Sequence, residues 1–408
     1  MTAQAVHECR SCSAPLPAPF LDLGSTPVAN RLLPAQDSPE QVYPLGVAHC
    51  PRCSLVQLAW ALPADEIFDE EYPYFSSYSD YLVKHAADHA SALIAELDLG
   101  PDSLVVEVGS NDGYLLQAFV DKGIPVLGID PSPGPVAAAR ERGVRTEQAF
   151  FGNAVAEDVV RRFGNADVVI ANNVMAHVPD LNDVVHGFAT LVGNDGVLTV
   201  ENPSAVEMIS RIEFDQVYHE HYCYFSCSSV RELFARHGLT LFRVEDLALH
   251  GGSLRWWGSR SRPVEQSSVD HLADEQALGV TTPGFYADFA ARVTQLQGSL
   301  REMLDRFKAE GKSIAAYGAA AKGTTLLTTT GIGNETIDFV VDRNEHKQGL
   351  FIPGARIPVL GVETLLERQP DYVLLLAWNV AEEILGQQAE FRRRGGKFVV
   401  PGPTPTVR

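Results

Sequence analysis

Four cysteines near the start of the chain constrain its folding more than any other feature. They fall into two pairs, Cys9-Arg-Ser-Cys12 and Cys50-Pro-Arg-Cys53. The C-x2-C spacing lets two thiolates reach one tetrahedral ion from a single tight turn, and two such knuckles make a closed zinc site. The 37 residues from 13 to 49 exceed a compact ribbon, so a segment must loop out between the knuckles. A single redox C-x-x-C would open a helix, whereas these pairs lie among Pro, Arg and Ser. Four thiolates leave no open position, so the expected metal is one structural zinc held by Cys9, Cys12, Cys50 and Cys53. Cys223 and Cys227 stand outside metal spacing and read as packing residues. Six cysteines in 408 residues are too few for a disulfide scaffold.

The rest of the chain reads as α/β. After a Pro-rich start and the segment Tyr72-Pro-Tyr-Phe-Ser-Ser-Tyr-Ser79, a helical stretch runs to Leu97. Short apolar runs then alternate with helices: Ser103–Val108, Pro125–Ile129, Asp167–Ala171 and Gly196–Val200. Buried runs so spaced describe a parallel sheet covered on both faces. Phe285, Phe289, Val293, Leu296, Leu300, Leu304 and Phe307 recur every three or four residues, which predicts one long amphipathic connector helix. A second alternation follows at Ser313–Tyr317, Ile337–Val341, Tyr372–Leu376 and Lys397–Val400. The expected units are a zinc lobe over 1–73, a Rossmann-like central domain over 74–284 and a second Rossmann-like domain over 285–408.

Glu107-Val-Gly-Ser-Asn-Asp-Gly113 follows a predicted strand and precedes a predicted helix, Tyr114–Lys122. Gly109 permits the turn, Gly113 lets a ligand lie against backbone, and Glu107 stands at the carboxyl end of the strand, where such sheets bind ligands. Asp130, followed by Pro131, ends the next strand 21 residues after Gly109, a spacing suited to gripping a ribose diol. A dinucleotide needs G-x-G-x-x-G, yet Asn111 stands where the second Gly should be. Acidic groups here repel pyrophosphate but suit a sulfonium and an ammonium, so the expected ligand is S-adenosylmethionine. Asn172 and Asn173 close the fourth strand position, where such folds present polar side chains to methyl donor and acceptor.

The densest set of titratable groups is Tyr218-His219-Glu220-His221-Tyr222. Histidine is the side chain best placed to take a proton near neutral pH. The string is not H-E-x-x-H, because the second His follows the first by two residues. Farther on, Ala316-Tyr-Gly-Ala-Ala-Ala-Lys-Gly-Thr324 follows a strand and opens a helix. Lys322 at that helix N-terminus, with Asn344 and Lys347 after Asp342, could hold one pyrophosphate of a nucleotide sugar. The formal charge of −20 argues against nucleic acid and membrane surfaces as partners. The first residues lack a basic and an apolar region, so the chain is expected to be cytoplasmic rather than secreted.

The paired knuckles, E-V-G-S-N-D-G, N-N-V-x-A-H (Asn172–His177), Y-H-E-H (Tyr218–His221), H-G-G-S-L-R (His250–Arg255) and G-A-A-A-K-G-T (Gly318–Thr324) together resemble the sugar C-methyltransferases of deoxysugar biosynthesis. The resemblance covers nearly the whole chain. It implies methylation of C-3 of a dTDP-4-keto-deoxysugar during antibiotic biosynthesis, by a chain with a zinc lobe, a methyl-donor domain and a C-terminal α/β domain; the chain is expected to act as a monomer. It also implies Gly109, Asn111 and Asp130 around the donor, with His177, Tyr218, Glu220, His221, Tyr72 and Ser76 near the sugar. In the expected chemistry His221 is the base and Tyr218 the next candidate, Glu220 orients His221, and His177 or Tyr218 donates to the enolate oxygen. The alternative is a zinc-ribbon methyltransferase acting on another small molecule or on RNA.

Overall fold

The computed structural model describes residues 3–63, 67, 76–247 and 251–408. Tyr72 and His250, both singled out above, lie outside the described residues. Strands β1 (Leu21–Pro27), β2 (Val42–His49) and β3 (Val56–Leu58) form an antiparallel sheet in the N-terminal lobe. The 37-residue insertion thus supplies the first two strands, and the second knuckle lies in the connection between β2 and β3. Helix α1 (Asp80–Leu97) follows, its N-cap Ser79 accepting from the Leu82 amide.

The central sheet takes strands β4 (Val105–Val108), β5 (Val126–Asp130), β6 (Thr146–Gln148), β7 (Val168–Asn172) and β8 (Val197–Pro203). Strand β9 (Cys223–Tyr224) leaves this lobe and pairs antiparallel with β3, becoming the fourth strand of the N-terminal sheet. Strands β10 (Thr240–Leu247) and β11 (Ser253–Ser259) return to the central sheet. The order there is β10-β11-β8-β7-β4-β5-β6, parallel except for β11, which runs antiparallel to both neighbours. Chain order reverses between β4 and β7, and at such a switch the carboxyl ends of the strands open a crevice. Strand β4 is wholly buried, which explains its continuous Val-Val-Glu-Val run. The predicted helix over Tyr114–Lys122 is a single helical turn, Gln117–Val120, with Leu115, Leu116 and Phe119 buried.

Helix α2 (Phe289–Ala309) connects the lobes and buries Phe289, Val293, Leu296, Leu300, Leu304 and Phe307 along one stripe. Phe285, expected in that helix, sits instead in the preceding 3-10 turn, Pro283–Tyr286, where proline starts a separate turn. The C-terminal sheet contains β12 (Ile314–Tyr317), β13 (Val340–Val341), β14 (Val359–Leu360), β15 (Tyr372–Leu375), β16 (Lys397–Val400) and β17 (Thr406–Val407). Its order is β14-β13-β12-β15-β16-β17, parallel apart from the last strand. Helix α3 (Ala321–Thr330) follows β12 and faces the central lobe. No helix among the described residues is long and apolar enough to cross a membrane.

Candidate active site

At the crevice, Gly109 and Asn111 adopt positive φ of 67° and 48°, so the turn after β4 folds tightly over the end of the strand. A Cβ on Gly109 would stand 2.5 Å from Val174 Cγ2, so glycine is required there for close packing as well as for backbone shape. Gly113 differs from expectation. Its missing Cβ faces Val144 and Ala139 rather than a ligand, so it serves helix–sheet packing. Asp130 accepts from the amides of Asn111 and Ser132, each at 2.9 Å, and so ties the turn to the end of β5, next to Pro131. Burial raises its carboxyl above the usual range against those bonds. Ser76, expected near the acceptor, lies against the donor turn, its amide donating to Asn111 Oδ1 at 2.8 Å.

Two buried oxygens at this edge, Glu107 Oε2 and Asn172 Oδ1, make no hydrogen bond among the described residues. Glu107 is 1% exposed, and burial pushes its carboxyl well above the ordinary range, helped by Asp130, Asp112 and Glu201. Spare acceptors in an acidic pocket fit a ligand that brings donors and positive charge. Asn173 closes the edge with φ of 56° and gives its amide to the Glu201 carbonyl.

The 3-10 turn Met175–His177 carries His177 away from the end of β7 toward the titratable cluster. The His177 and His221 rings meet edge to face, with centroids 4.6 Å apart. His221 Nδ1 lies 3.2 Å from the Gln216 carbonyl, which can only accept, so Nδ1 carries the proton. In the neutral ring Nε2 then holds a lone pair, and the Tyr218 hydroxyl donates to it at 2.7 Å. His177 Nδ1 donates to the Glu220 carbonyl at 2.8 Å, and burial drops this ring to about 4. A neutral His177 with its proton on Nδ1 has no N–H left for an enolate oxygen, which corrects the donor role expected of it. Glu220 is also placed differently from expectation. Its Oε1 accepts from the Asn30 amide at 3.0 Å, so the Gln216 carbonyl, not Glu220, orients His221.

The three groups expected to hold pyrophosphate are engaged within the fold. Lys322 Nζ donates to Asn379 Oδ1 at 2.7 Å, lies over the Trp378 ring and is balanced by Asp215 and Glu213. Lys347 Nζ donates to the Ala319 carbonyl at 2.8 Å, and Asn344 caps its own turn through the His346 amide. A phosphate there would have to break the Lys322–Asn379 bond and sit close to the acids at 213 and 215.

The four cysteine sulfurs all lie within 4.8 Å of one another, with Cys9–Cys53 at 3.5 Å and Cys12–Cys50 at 3.6 Å. Tetrahedral Zn–S bonds of about 2.3 Å place sulfurs about 3.8 Å apart, so the set fits zinc. Hydrogen bonding with Cys50 raises the thiols of Cys9 and Cys53, while bonds from Cys53 and Cys9 lower Cys50. A dication would allow all four to be thiolates.

Residues 9–68 match a putative zinc-binding domain, 82–244 a methyltransferase domain and 248–403 a C-methyltransferase C-terminal domain. Along 407 residues the chain is 36% identical to C-methyltransferase NovU of Streptomyces niveus, covering 98% of this chain and 97% of the relative. The chain belongs to the C-methyltransferase family. Ubiquinone biosynthesis O-methyltransferase of Salmonella paratyphi A is 32% identical over 94 residues, 22% of this chain and 39% of that protein. Magnesium protoporphyrin IX methyltransferase of Synechocystis PCC 6803 with bound SAH is similar at a TM-score of 0.35 and 16% identity, covering 44% of this chain and 83% of that one.

In this C-methyltransferase the structure gathers Tyr218, His221, His177 and Glu220 at one place and sets Lys322 beside a pair of acids. Sequence reading missed those acids, Glu213 and Asp215, and the indole that meets them. Trp378 Nε1 donates to Asp215 Oδ2 at 2.6 Å. Burial raises Asp215 to about 6 despite Lys322, and raises Glu213 to about 8 with help from Asp215. These residues line a cleft of about 480 Å³ between the start of α1 and the C-terminal lobe, with Ser79, Tyr81 and Asn379. No spacing rule flags Phe214-Asp-Gln216; only the paired acids two residues apart hinted at it.

Proposed function

We propose that this C-methyltransferase uses S-adenosylmethionine to methylate C-3 of a dTDP-4-keto-deoxysugar by way of an enolate. The observation that carries the reading is the Tyr218–His221 pair, its tautomer fixed by the Gln216 carbonyl, set beside the turn that leaves the methyltransferase strand edge. Such a pair has no use in simple methyl transfer to a good nucleophile, but a carbon nucleophile must first lose a proton. Farther along the same segment, Glu213, Phe214 and Asp215 line a cleft of about 480 Å³, the volume of a small-molecule site.

S-adenosylmethionine, when bound at the 109–113 turn, supplies an electrophilic methyl group and leaves as a neutral thioether. The C-3–H bond breaks toward Tyr218 Oη, whose own proton passes to His221 Nε2, and the electron pair moves onto the C-4 ketone oxygen. His221 is the site where the proton comes to rest, stabilised by the Nδ1–H bond to Gln216. The new C–C bond forms from C-3, the ketone is restored, and His221 returns its proton to solvent. The zinc is structural in this reading. Residues 1–73, 74–284 and 285–408 are then the zinc, donor and acceptor-side domains.

The deciding experiment incubates the protein with S-adenosylmethionine and a panel of dTDP-4-keto sugars, followed by mass spectrometry of the sugar. The expected product gains one CH2 on the ring carbon next to the ketone. Methylation on oxygen or nitrogen, or of no panel member, refutes the reading.

A further inference from the structure

We propose that helix α3 of the C-terminal lobe positions the proton-transfer pair, with Thr325 as the central positioning residue. The inference rests on Tyr218 and His221 moving the proton, as proposed above, and extends it to residues far from the reacting atoms.

The segment from Arg211 to Tyr222 carries both residues, yet its regular structure is one 3-10 turn, Phe214–Gln216. Such a backbone must be held from outside if the pair is to keep a fixed geometry. Its neighbour on the C-terminal side is α3. Thr325 Oγ1 donates to the Val217 carbonyl at 3.1 Å, one residue before Tyr218. Trp378 of the same lobe donates to Asp215. These two contacts bracket Gln216, whose carbonyl fixes the proton on His221 Nδ1. Within the segment, Gln216 also ties its amide side chain to Glu213.

The helix reaches the cluster by a second route. Thr324 Oγ1 donates to the Ala29 carbonyl at 3.0 Å, and the next residue, Asn30, gives its amide to Glu220 Oε1. The Glu220 carbonyl in turn holds His177 Nδ1. Adjacent hydroxyls on one helix therefore hold one strap on each side of the two imidazoles. Both threonines are 2% exposed, so neither bond is replaced by water when it is lost. Each hydroxyl already donates its proton to a backbone carbonyl, which makes it a strap and not a substrate ligand. In a site where displacement of about 1 Å can cost 10²-fold, a lost strap appears in turnover rather than in donor binding.

The test compares Thr325→Val, which keeps shape and removes the donor, with Thr325→Ser, which keeps the donor. Methyl transfer is measured with the accepted sugar, and the His221 ring is followed by long-range 1H–15N NMR without substrate. The expected result for Thr325→Val is a roughly 10- to 100-fold loss of kcat. The KM for S-adenosylmethionine should stay within about twofold and the His221 resonances should shift, while Thr325→Ser stays close to the wild type. In a His221→Asn background, Thr325→Val should add little, because the two act through one group. Wild-type kcat and an unmoved His221 signal in Thr325→Val overturn the proposal, as does a full additional loss in the double variant. Full activity of His221→Asn alone refutes the proton-transfer reading instead, and the NMR shift still reports on the strap. If Thr325→Val does not fold, Thr324→Val takes its place, read at the His177 ring; an unchanged signal and rate there overturn the proposal.

Discussion

Glu213 makes stability depend on pH in a direction opposite to that of most carboxylates. It is 6% exposed, and burial is the main cause that lifts it from 4.5 to about 8; Asp215 adds to the lift, while Lys322, Arg211 and the bond from Gln216 oppose it. The folded protein therefore holds this proton at pH 7, where the unfolded chain has released it. A group raised in this way contributes fully below about pH 4.5, and the contribution is lost as pH rises through 8. At pH 7 the difference between 4.5 and 7, at about 1.4 kcal/mol per pH unit, comes to about 3 kcal/mol. Glu213→Gln stays neutral at every pH and keeps an acceptor for Gln216, so it escapes that loss. Guanidinium unfolding followed by tryptophan fluorescence, run on both proteins from pH 4.5 to 8.5, should show a stability gap that widens in favour of the variant. A gap that stays flat with pH, or that favours wild type more as pH rises, refutes the reasoning.

Further outcomes follow from the site. Cys50→Ser should lose zinc by elemental analysis and melt the N-terminal lobe; metal-free protein with an unchanged melting temperature would contradict a structural ion. Asp130→Ala should weaken S-adenosylmethionine binding by roughly 1–3 kcal/mol in calorimetry, since it removes a charged acceptor and the tie to Asn111; unchanged affinity places the ribose elsewhere. His221→Asn should lower turnover by roughly 10²–10⁴ with donor affinity little changed. Deuterium exchange at the substrate carbon should be lost in both Tyr218→Phe and His221→Asn, because Tyr218 can take that proton only by passing its own to His221; exchange that persists in His221→Asn refutes the relay.

The strands were legible because a parallel sheet buried on both faces writes itself as short runs of Val, Ile and Leu, as in Val105–Val108 and Tyr372–Leu375. The zinc ligands were legible because metal geometry fixes their local spacing. Gly113 was misread because packing against Val144 and approach to a ligand both demand a missing Cβ, and only the structure separates them. Glu220 was misread for a related reason. Proximity in sequence put it beside His221, but its carboxyl turns to Asn30, 190 residues away. The acids at 213 and 215 left only their spacing as a signal, because burial perturbs them most and the groups that oppose it, Lys322 and Trp378, come from another lobe. Long-range pairing of this kind has no local period to read.

The strand Cys223–Tyr224 belongs to one lobe by chain position and to another by hydrogen bonding. It pairs with Val56 and Gln57, Tyr222 O accepts from the Leu58 amide, and the Tyr222 hydroxyl donates to Leu62 O. On the ribosome, the first lobe therefore waits for more than 150 further residues before its sheet can close, whatever the metal supply. Until then one edge of β3 offers its amides and carbonyls to any passing strand. The same arrangement governs recombination between relatives. A chimera joined after residue 73 would separate β3 from the strand that completes it, so a crossover that keeps the whole sheet from one parent must fall after residue 224.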